Sequence, residues 1–165
     1  MVNYLGLRHL IVVVACVGLA ACGFKLAGTA DLPAELSTIH LVTKNFSDQQ
    51  QDELRGRLTR AGASVVDQST ADAVLLAVTF NIIPDRRLIS AGSSGRFVER
   101  VARSLDFSLK SPTGEVIVPA KTLLQQKDTE LDDDNLLASN REKASVIKDL
   151  EQTLFKQLIN QLQRI

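Results

Sequence analysis

Between Ala73 and Gln126, three successive segments alternate apolar and polar residues with a period of two, and no other feature of the chain constrains its fold as strongly. The clearest segment runs from about Phe97 to Lys110, where the apolar side chains are Val101, Leu105, Phe107 and Leu109. This alternation predicts half-buried strands with one face in a core and the other open to water or to a partner. Ser111-Pro112-Thr113-Gly114 is a turn sequence, so we predict that it closes an antiparallel hairpin.

Two further elements are predicted before these segments. Apolar and polar residues alternate over Thr38–Thr43, which predicts the first strand. Ser47 and Gln50 have the spacing of a capping box, and the helix that follows places Leu54, Leu58 and Ala61 on one stripe before Gly62. Pro84 interrupts the second strand and predicts either its end or an edge bulge.

A long amphipathic helix is predicted near the C-terminus. We predict that a second capping box, at Ser139–Glu142, begins this helix. An acidic stretch from Asp128 to Asn135 precedes it and is expected to end the fourth strand, Val116–Gln126. Its apolar stripe comprises Ala144, Ile147, Leu150, Leu154, Leu158, Leu162 and Ile165, widened by Val146, Phe155 and Ile159.

The resulting order βαβββα predicts an α+β fold in two layers. We expect two helices to pack on one face of a four-stranded, mostly antiparallel sheet. The other face has small, polar and charged positions, so it can meet water or a large partner.

The N-terminus has the three parts of an export signal. Arg8 gives the first nine residues a positive charge, residues 10–19 are almost wholly apolar, and Ala20 and Ala21 follow. The apolar run is too short to span a membrane, for which roughly 20 residues are needed. We therefore predict a removable signal peptide at residues 1–21, a tether at 22–33 and one domain at 34–165.

Leu19-Ala20-Ala21-Cys22 resembles the lipobox of bacterial lipoproteins. The resemblance implies a diacylglycerol and an N-acyl chain on Cys22, which would hold the protein at a membrane, and we expect no other cofactor. Gly23 stands where many Gram-negative bacteria use Asp for retention in the inner membrane, which implies the periplasmic side of the outer membrane. The alternative is an ordinary cysteine after an apolar stretch.

The charge balance excludes one large class of partner. The chain has 19 basic and 19 acidic residues, and removal of the signal would take only Arg8 from this count. A nearly neutral domain is not expected to bind nucleic acid. Since Cys16 would leave with the signal and Cys22 would be acylated, we expect no disulfide bond.

Candidate catalytic and metal-binding residues are scarce. His40 is the only histidine after the signal and lies in a predicted strand. Gly92-Ser93-Ser94-Gly95 lacks the spacing of a nucleophile elbow, and the acids at 128–134 lack that of a calcium loop. A flexible tip and a solvated loop are the simpler interpretations, so we predict neither an enzyme nor a metal site.

A group of five arginines flanks the tip between the second and third strands of the predicted sheet: Arg86, Arg87, Arg96, Arg100 and Arg103. Guanidinium groups bind phosphate through paired hydrogen bonds, and lipopolysaccharide is the dominant phosphorylated ligand at an outer membrane. Charged residues near strand edges also prevent aggregation, and composition alone leaves both alternatives open.

The whole mature chain resembles the LptE family of lipopolysaccharide-assembly lipoproteins. The resemblance depends on the order and spacing of several pieces: Cys22-Gly23-Phe24-Lys25-Leu26, Leu32-Pro33, Leu58-Thr59-Arg60-Ala61-Gly62, the hairpin near Gly114, and Leu137-Ala138-Ser139-Asn140-Arg141-Glu142. Apart from the lipobox, no single piece is specific.

The resemblance implies a plug inside the LptD β-barrel of the outer membrane, which assists the assembly of that barrel and contacts lipopolysaccharide during its delivery to the outer leaflet. Arg96 and Arg141 lie closest to the family's lipid-A-contacting positions, with Arg100 and Lys143 as further candidates. The alternatives are a lipid carrier, which needs a large apolar cavity, and an outer-membrane scaffold without a role in lipopolysaccharide transport.

Overall fold

A computed structural model of the chain describes residues 31–91, with the backbone alone at 89–91, and residues 95–165. After a 3-10 turn at Ala34–Leu36, its elements are β1 (Thr38–Lys44), α1 (Asp48–Arg60), β2 (Ser64–Val66), β3 (Val74–Ala91), β4 (Arg96–Lys110), β5 (Val116–Asp132) and α2 (Leu136–Leu162). The predicted signal peptide, Cys22, most of the predicted tether and the glycine-serine tip at 92–94 lie outside the described residues.

The five strands form one mixed sheet in the order β2-β1-β3-β4-β5. β1 pairs in parallel with β2 and β3, whereas β3, β4 and β5 pair antiparallel. The α+β class with two helices is confirmed, but the expectation of four strands in a mostly antiparallel sheet was wrong, because the sheet has five strands and is mixed. β2 is only three residues long, which is too short for alternation to reveal it, and α1 provides the crossover that a parallel β1–β2 pair needs.

The main core lies between the sheet and both helices. Alternate residues of the strands, such as Ile39, Leu76 and Leu105, form one hydrophobic cluster with Leu58 of α1 and Leu154 of α2. The stripes predicted for both helices are therefore confirmed over most of their length. Of the stripe predicted for α2, only Ala144 and Ile165 are exposed, and Ile165 lies beyond the end of the helix at Leu162.

The start and end of α1 follow the sequence signals. The Ser47 hydroxyl accepts a hydrogen bond from Gln50 N at 3.3 Å, and Gln50 Oε1 accepts one from Ser47 N at 2.9 Å. The capping box is thus complete. Gly62 follows the helix with φ +94°, a left-handed conformation that glycine adopts without strain.

Pro84 lies at a bulge within β3, not at its end. The register between β3 and β4 shifts between Ile83 and Arg86, and the strand continues to Ala91. Proline is tolerated because β1 ends opposite Thr79, which leaves β3 as an edge strand beyond that point. Ile82 follows Leu76, Val78 and Phe80 in the period of two, but it is 72% exposed because it lies past the end of β1.

The connection between β5 and α2 corrects two predictions. β5 runs to Asp132 through most of the acidic stretch, because its acids lie beside arginines of β4. α2 begins at Leu136 with Asn135 as its cap, and Asn135 Oδ1 accepts a hydrogen bond from Ala138 N. The Ser139 hydroxyl instead bonds to the backbone N and O of Asp132, so it ties the helix to the end of β5.

The end of the predicted tether packs on the domain. Leu32 is buried, and its backbone N donates a hydrogen bond to Ala61 O at 2.8 Å. From Asp31 onward the chain forms one compact unit. Neither helix in this part of the chain combines the length and apolar character needed to cross a membrane.

Candidate functional site

The three long strands continue beyond the end of β1 as a ribbon, and all five arginines of the predicted group lie on it. We call this part the distal ribbon: residues 82–91 of β3, 96–103 of β4 and 124–132 of β5. The first turns of α2 lie against it through a small second core formed by Val101, Val146 and Leu150, with Ile147 packed beside them. The ribbon therefore depends on less apolar burial than the main core.

Arg96 and Arg100 lie on β4, and both are paired with acids of β5. Arg100 forms two hydrogen bonds with the Asp128 carboxylate, at 2.7 and 2.8 Å. These bonds raise the pKa of Arg100 and lower that of Asp128. Arg96 has a looser ion pair, 3.6 Å from Glu130, and its side chain is 62% exposed. Arg96 is thus the more available cation of the two.

Arg86 and Arg87 also differ in how available their charges are to bind an anion. The Arg87 guanidinium lies 3.6 Å from the centroid of the Phe97 ring and pairs with Asp133 at 3.3 Å. Arg86 is exposed opposite Arg100, and it forms no ion pair with any residue that the structure describes. Arg141, on α2, is likewise exposed and has no ion-pair partner among the described residues.

Arg103 and Lys143 belong to a half-buried group of charges beneath α2, which we call the ionic cluster: Asp85, Glu99, Arg103 and Lys143. Lys143 Nζ lies 2.7 Å from Asp85 Oδ2 and 2.8 Å from Glu99 Oε2. Arg103 Nη1 donates to Asp85 Oδ1 at 3.2 Å and to the backbone O of Ala102 at 2.7 Å. The bulge at Pro84 lets the β3 backbone turn Asp85 toward this side of the sheet.

The electrostatics of the ionic cluster follow from its contacts. Burial raises the pKa of Asp85, but hydrogen bonds with Lys143 and Arg103 outweigh this effect and hold the pKa below its ordinary value. Contacts with Asp85 and then Glu99 raise the pKa of Lys143. Glu99 Oε2 is buried and lacks a partner with hydrogen-bond geometry, although Lys143 Nζ is close enough for an ion pair. Lys143 is therefore the nearest compensating charge for this oxygen.

An open groove of about 490 Å³ separates the end of β5 from the start of α2. Arg96 lines it together with residues of β5 and α2: Glu130, Leu131, Asp132, Asn135, Ala138, Ser139 and Glu142. Arg141 follows Ser139 by two positions but does not line the groove. The structure thus brings Arg96 to the start of α2, whereas Arg100 and Lys143 are bound to carboxylates.

The uncovered face of the sheet has a polar ladder across three strands. The Asp106 carboxylate of β4 accepts hydrogen bonds from Asn81 Nδ2 of β3 at 2.8 Å and from the Thr122 hydroxyl of β5. His40 lies half-buried in β1. Among the residues that the structure describes, no three His, Cys, Asp or Glu side chains come together in a way that could hold a metal ion.

The burial of Arg103 was not predicted, although the sequence contains a signal for it. Position 103 falls between Val101 and Leu105 in the period of two, so the alternation itself places the side chain on the covered face. Its acceptor, Asp85, could not be found in this way, because the bulge changes the register of β3.

Three solved structures with the same fold are those of bacterial lipoproteins. An uncharacterized lipoprotein B from Nitrosomonas europaea is 19% identical, with a TM-score of 0.66 over 86% of this chain and 90% of that one. A minor lipoprotein from Acinetobacter baumannii is 17% identical, with a TM-score of 0.62 over 78% and 92%. A rare lipoprotein B from Shewanella oneidensis is 14% identical, with a TM-score of 0.57 over 76% and 89%. At these identities, the likeness shows the fold alone.

A comparison with curated proteins gives no match. The family model LptE, described as lipopolysaccharide-assembly, matches residues 36–162, which is well over half of the chain. This family is not enzymatic, so the prediction that the chain is not an enzyme is confirmed, and the role implies a location in the cell envelope. The chain belongs to the LptE family of lipopolysaccharide-assembly lipoproteins.

Proposed function

We propose that this protein is an outer-membrane lipoprotein whose domain occupies the lumen of an LptD β-barrel, assists its assembly and takes part in the delivery of lipopolysaccharide to the outer leaflet. Family membership supports the role in lipopolysaccharide assembly. The barrel partner, the outer membrane and acylation of Cys22 are parts of the proposal.

The polar ladder is the single observation that most supports a luminal position. The lumen of a large membrane barrel is polar and wet. A domain that fills it needs a surface of hydrogen-bonding groups that are already satisfied, since exposed apolar strands would aggregate before assembly. Asp106, with its two donors Asn81 and Thr122, places such groups at the centre of the uncovered sheet face.

A lipid carrier is a poorer fit to the described part of the chain. A carrier needs an apolar cavity large enough for acyl chains, and the natural place for it is between the helices and the sheet. That space is filled by packed side chains, among them Leu58, Leu76 and Phe155, which are fully or almost fully buried. The 490 Å³ groove at Arg96 is open and has acidic residues in its lining.

The availability of the cations ranks the candidates for contact with lipopolysaccharide phosphates. Arg141 has no described ion-pair partner, and Arg96 has only the loose pair with Glu130. Arg100 and Lys143 would have to leave close carboxylates before they could bind phosphate. We therefore propose Arg96 and Arg141 as the phosphate-binding pair.

Depletion of the protein tests the function itself. We expect LptD to be misassembled and lipopolysaccharide to fail to reach the surface. In addition, the membrane-extracted protein should copurify with LptD. An LptD that remains correctly folded and oxidised after depletion would contradict the proposal.

Binding of purified lipopolysaccharide tests the two arginines. The double variant Arg96→Ala/Arg141→Ala should bind more weakly than the parent, with a larger difference at low salt because screening is then weaker. The control variant Lys148→Ala/Arg164→Ala removes two exposed positive charges elsewhere. Equal losses in both variants would mean that only overall charge matters.

A further inference from the structure

Apart from the two hydrogen bonds between the Ser139 hydroxyl and the backbone of Asp132, the start of α2 is attached to the distal ribbon mainly by charges. Over its last turns α2 packs on the main core, but its first turns contribute only Val146 and Leu150, with Ile147 beside them, to the small second core. Next to this core lies Lys143, whose side chain is 29% exposed, between two carboxylates from different strands. Ser139 fixes the first turn to the end of β5, and the orientation of the following turns relative to β4 depends on the ionic cluster.

An ion pair of this kind is more selective for geometry than an apolar contact. A leucine can slide by an ångström and still be buried, whereas a half-buried ammonium must remain within contact distance of its carboxylates. Because Glu99 Oε2 is buried without a hydrogen bond, any movement of Lys143 away from it leaves a charge uncompensated.

We propose that the ionic cluster holds the start of α2 at a fixed distance from β4 and thereby sets the spacing between Arg96 and Arg141. Lys143, Asp85 and Glu99 are then positioning residues for the phosphate pair, and Lys143 binds no phosphate itself. This inference rests on the proposed function, because Arg96 and Arg141 are the ligand residues only there.

The geometry supports this role in two ways. Lys143 and Arg141 are two positions apart on α2 and lie on opposite sides of the helix, so the rigid helix backbone transmits a shift of one to the other. Glu99 follows Arg96 by three positions on β4, and its carboxylate contacts Lys143 directly. The contact between Glu99 and Lys143 thus joins the segment of β4 that contains Arg96 to the segment of α2 that contains Arg141.

The test compares Lys143→Met and Lys143→Arg with the parent in two measurements. In the first, spin labels on cysteines at Asn140 and Gln126, two exposed positions on α2 and β5, report the distance between helix and ribbon. We expect a broader distance distribution for Lys143→Met and one close to the parent's for Lys143→Arg. In the second, binding of purified lipopolysaccharide should weaken about fivefold or more for Lys143→Met, as is typical of energetic coupling between sites, and recover for Lys143→Arg.

Ser47→Ala is the control, because it weakens α1 without a change on the ribbon. It should alter neither the distance distribution nor the binding of lipopolysaccharide. An unchanged distance in Lys143→Met, or a changed distance without weaker binding, overturns the inference. If the parent and Arg96→Ala/Arg141→Ala bind equally well, the proposed phosphate pair fails, while the distance measurement still reports on the ionic cluster.

Discussion

Arg103 and Arg100 provide a direct comparison of a buried and an exposed ion pair on one strand. They lie three residues apart on β4, and each is paired with an aspartate of a neighbouring strand. The Arg103 side chain is 6% exposed and its partner Asp85 19%, whereas Arg100 and Asp128 are 39% and 43% exposed. We predict that Arg103→Met destabilises the protein much more than Arg100→Met.

The size of each effect depends on the surroundings of the carboxylate that loses its arginine partner. Removal of one member of a fully buried pair costs about 3–5 kcal/mol. Asp85 keeps its contact with Lys143, and methionine replaces part of the buried stem of Arg103, so we expect a loss of roughly 2–3 kcal/mol. Asp128 is returned to water in Arg100→Met, so that variant should remain close to the parent.

Urea unfolding at neutral pH measures both losses, and thermal unfolding should show a Tm lower by roughly 6–12 °C for Arg103→Met. The variant Asp85→Asn and the double variant Arg103→Met/Asp85→Asn complete a double-mutant cycle that isolates the coupling of the pair. Equal destabilisation by Arg103→Met and Arg100→Met would refute the reasoning, because burial would then make no difference.

Two further predictions concern the helices. Ser47→Ala removes the hydroxyl from the capping box and should lower the free energy of unfolding by about 1 kcal/mol in urea. Ser69→Ala, at an exposed position outside the helices and strands, is the control for the loss of a hydroxyl. The pKa of Glu151 is raised first by burial, against the hydrogen bond from Gln50 Nε2 at 2.7 Å, so ionisation of this carboxyl weakens the folded state as the pH rises from the ordinary value of 4.5 through the folded-state pKa. Glu151→Gln keeps an oxygen acceptor for Gln50 and should therefore gain in stability relative to the parent as the pH rises from 4 to 7; a constant difference across this range would contradict the assignment.

The sequence predicts the elements whose signal is local. The capping box at Ser47, the turn before Gly114 and the stripe of α2 depend on residues a few positions apart, and the structure confirms each of them. The family resemblance agrees with the matched model over residues 36–162.

What the sequence could not predict depends on contacts between distant segments. β5 continues through its acids because Arg100 lies opposite Asp128, and neither strand shows this pairing alone. The polarity of the acidic stretch is typical of a loop, but the ion pair between Arg100 and Asp128 stabilises these residues as part of a strand. The period of two places Ile82 on the same face as Phe80, but the exposure of Ile82 depends on where β1 ends, which is a property of the sheet.

The candidate arginines show the same limit, with a consequence for how phosphate sites are identified. Residue type alone makes Arg96, Arg100 and Arg103 equivalent, yet one is loosely paired, one is bound by two hydrogen bonds and one is buried. A cation that already holds a carboxylate must exchange one anion for another, so part of its affinity for phosphate is lost. The register of the acids on β5 therefore decides which arginines remain available for phosphate, and Arg86, which has no described partner, is a stronger further candidate than Arg100.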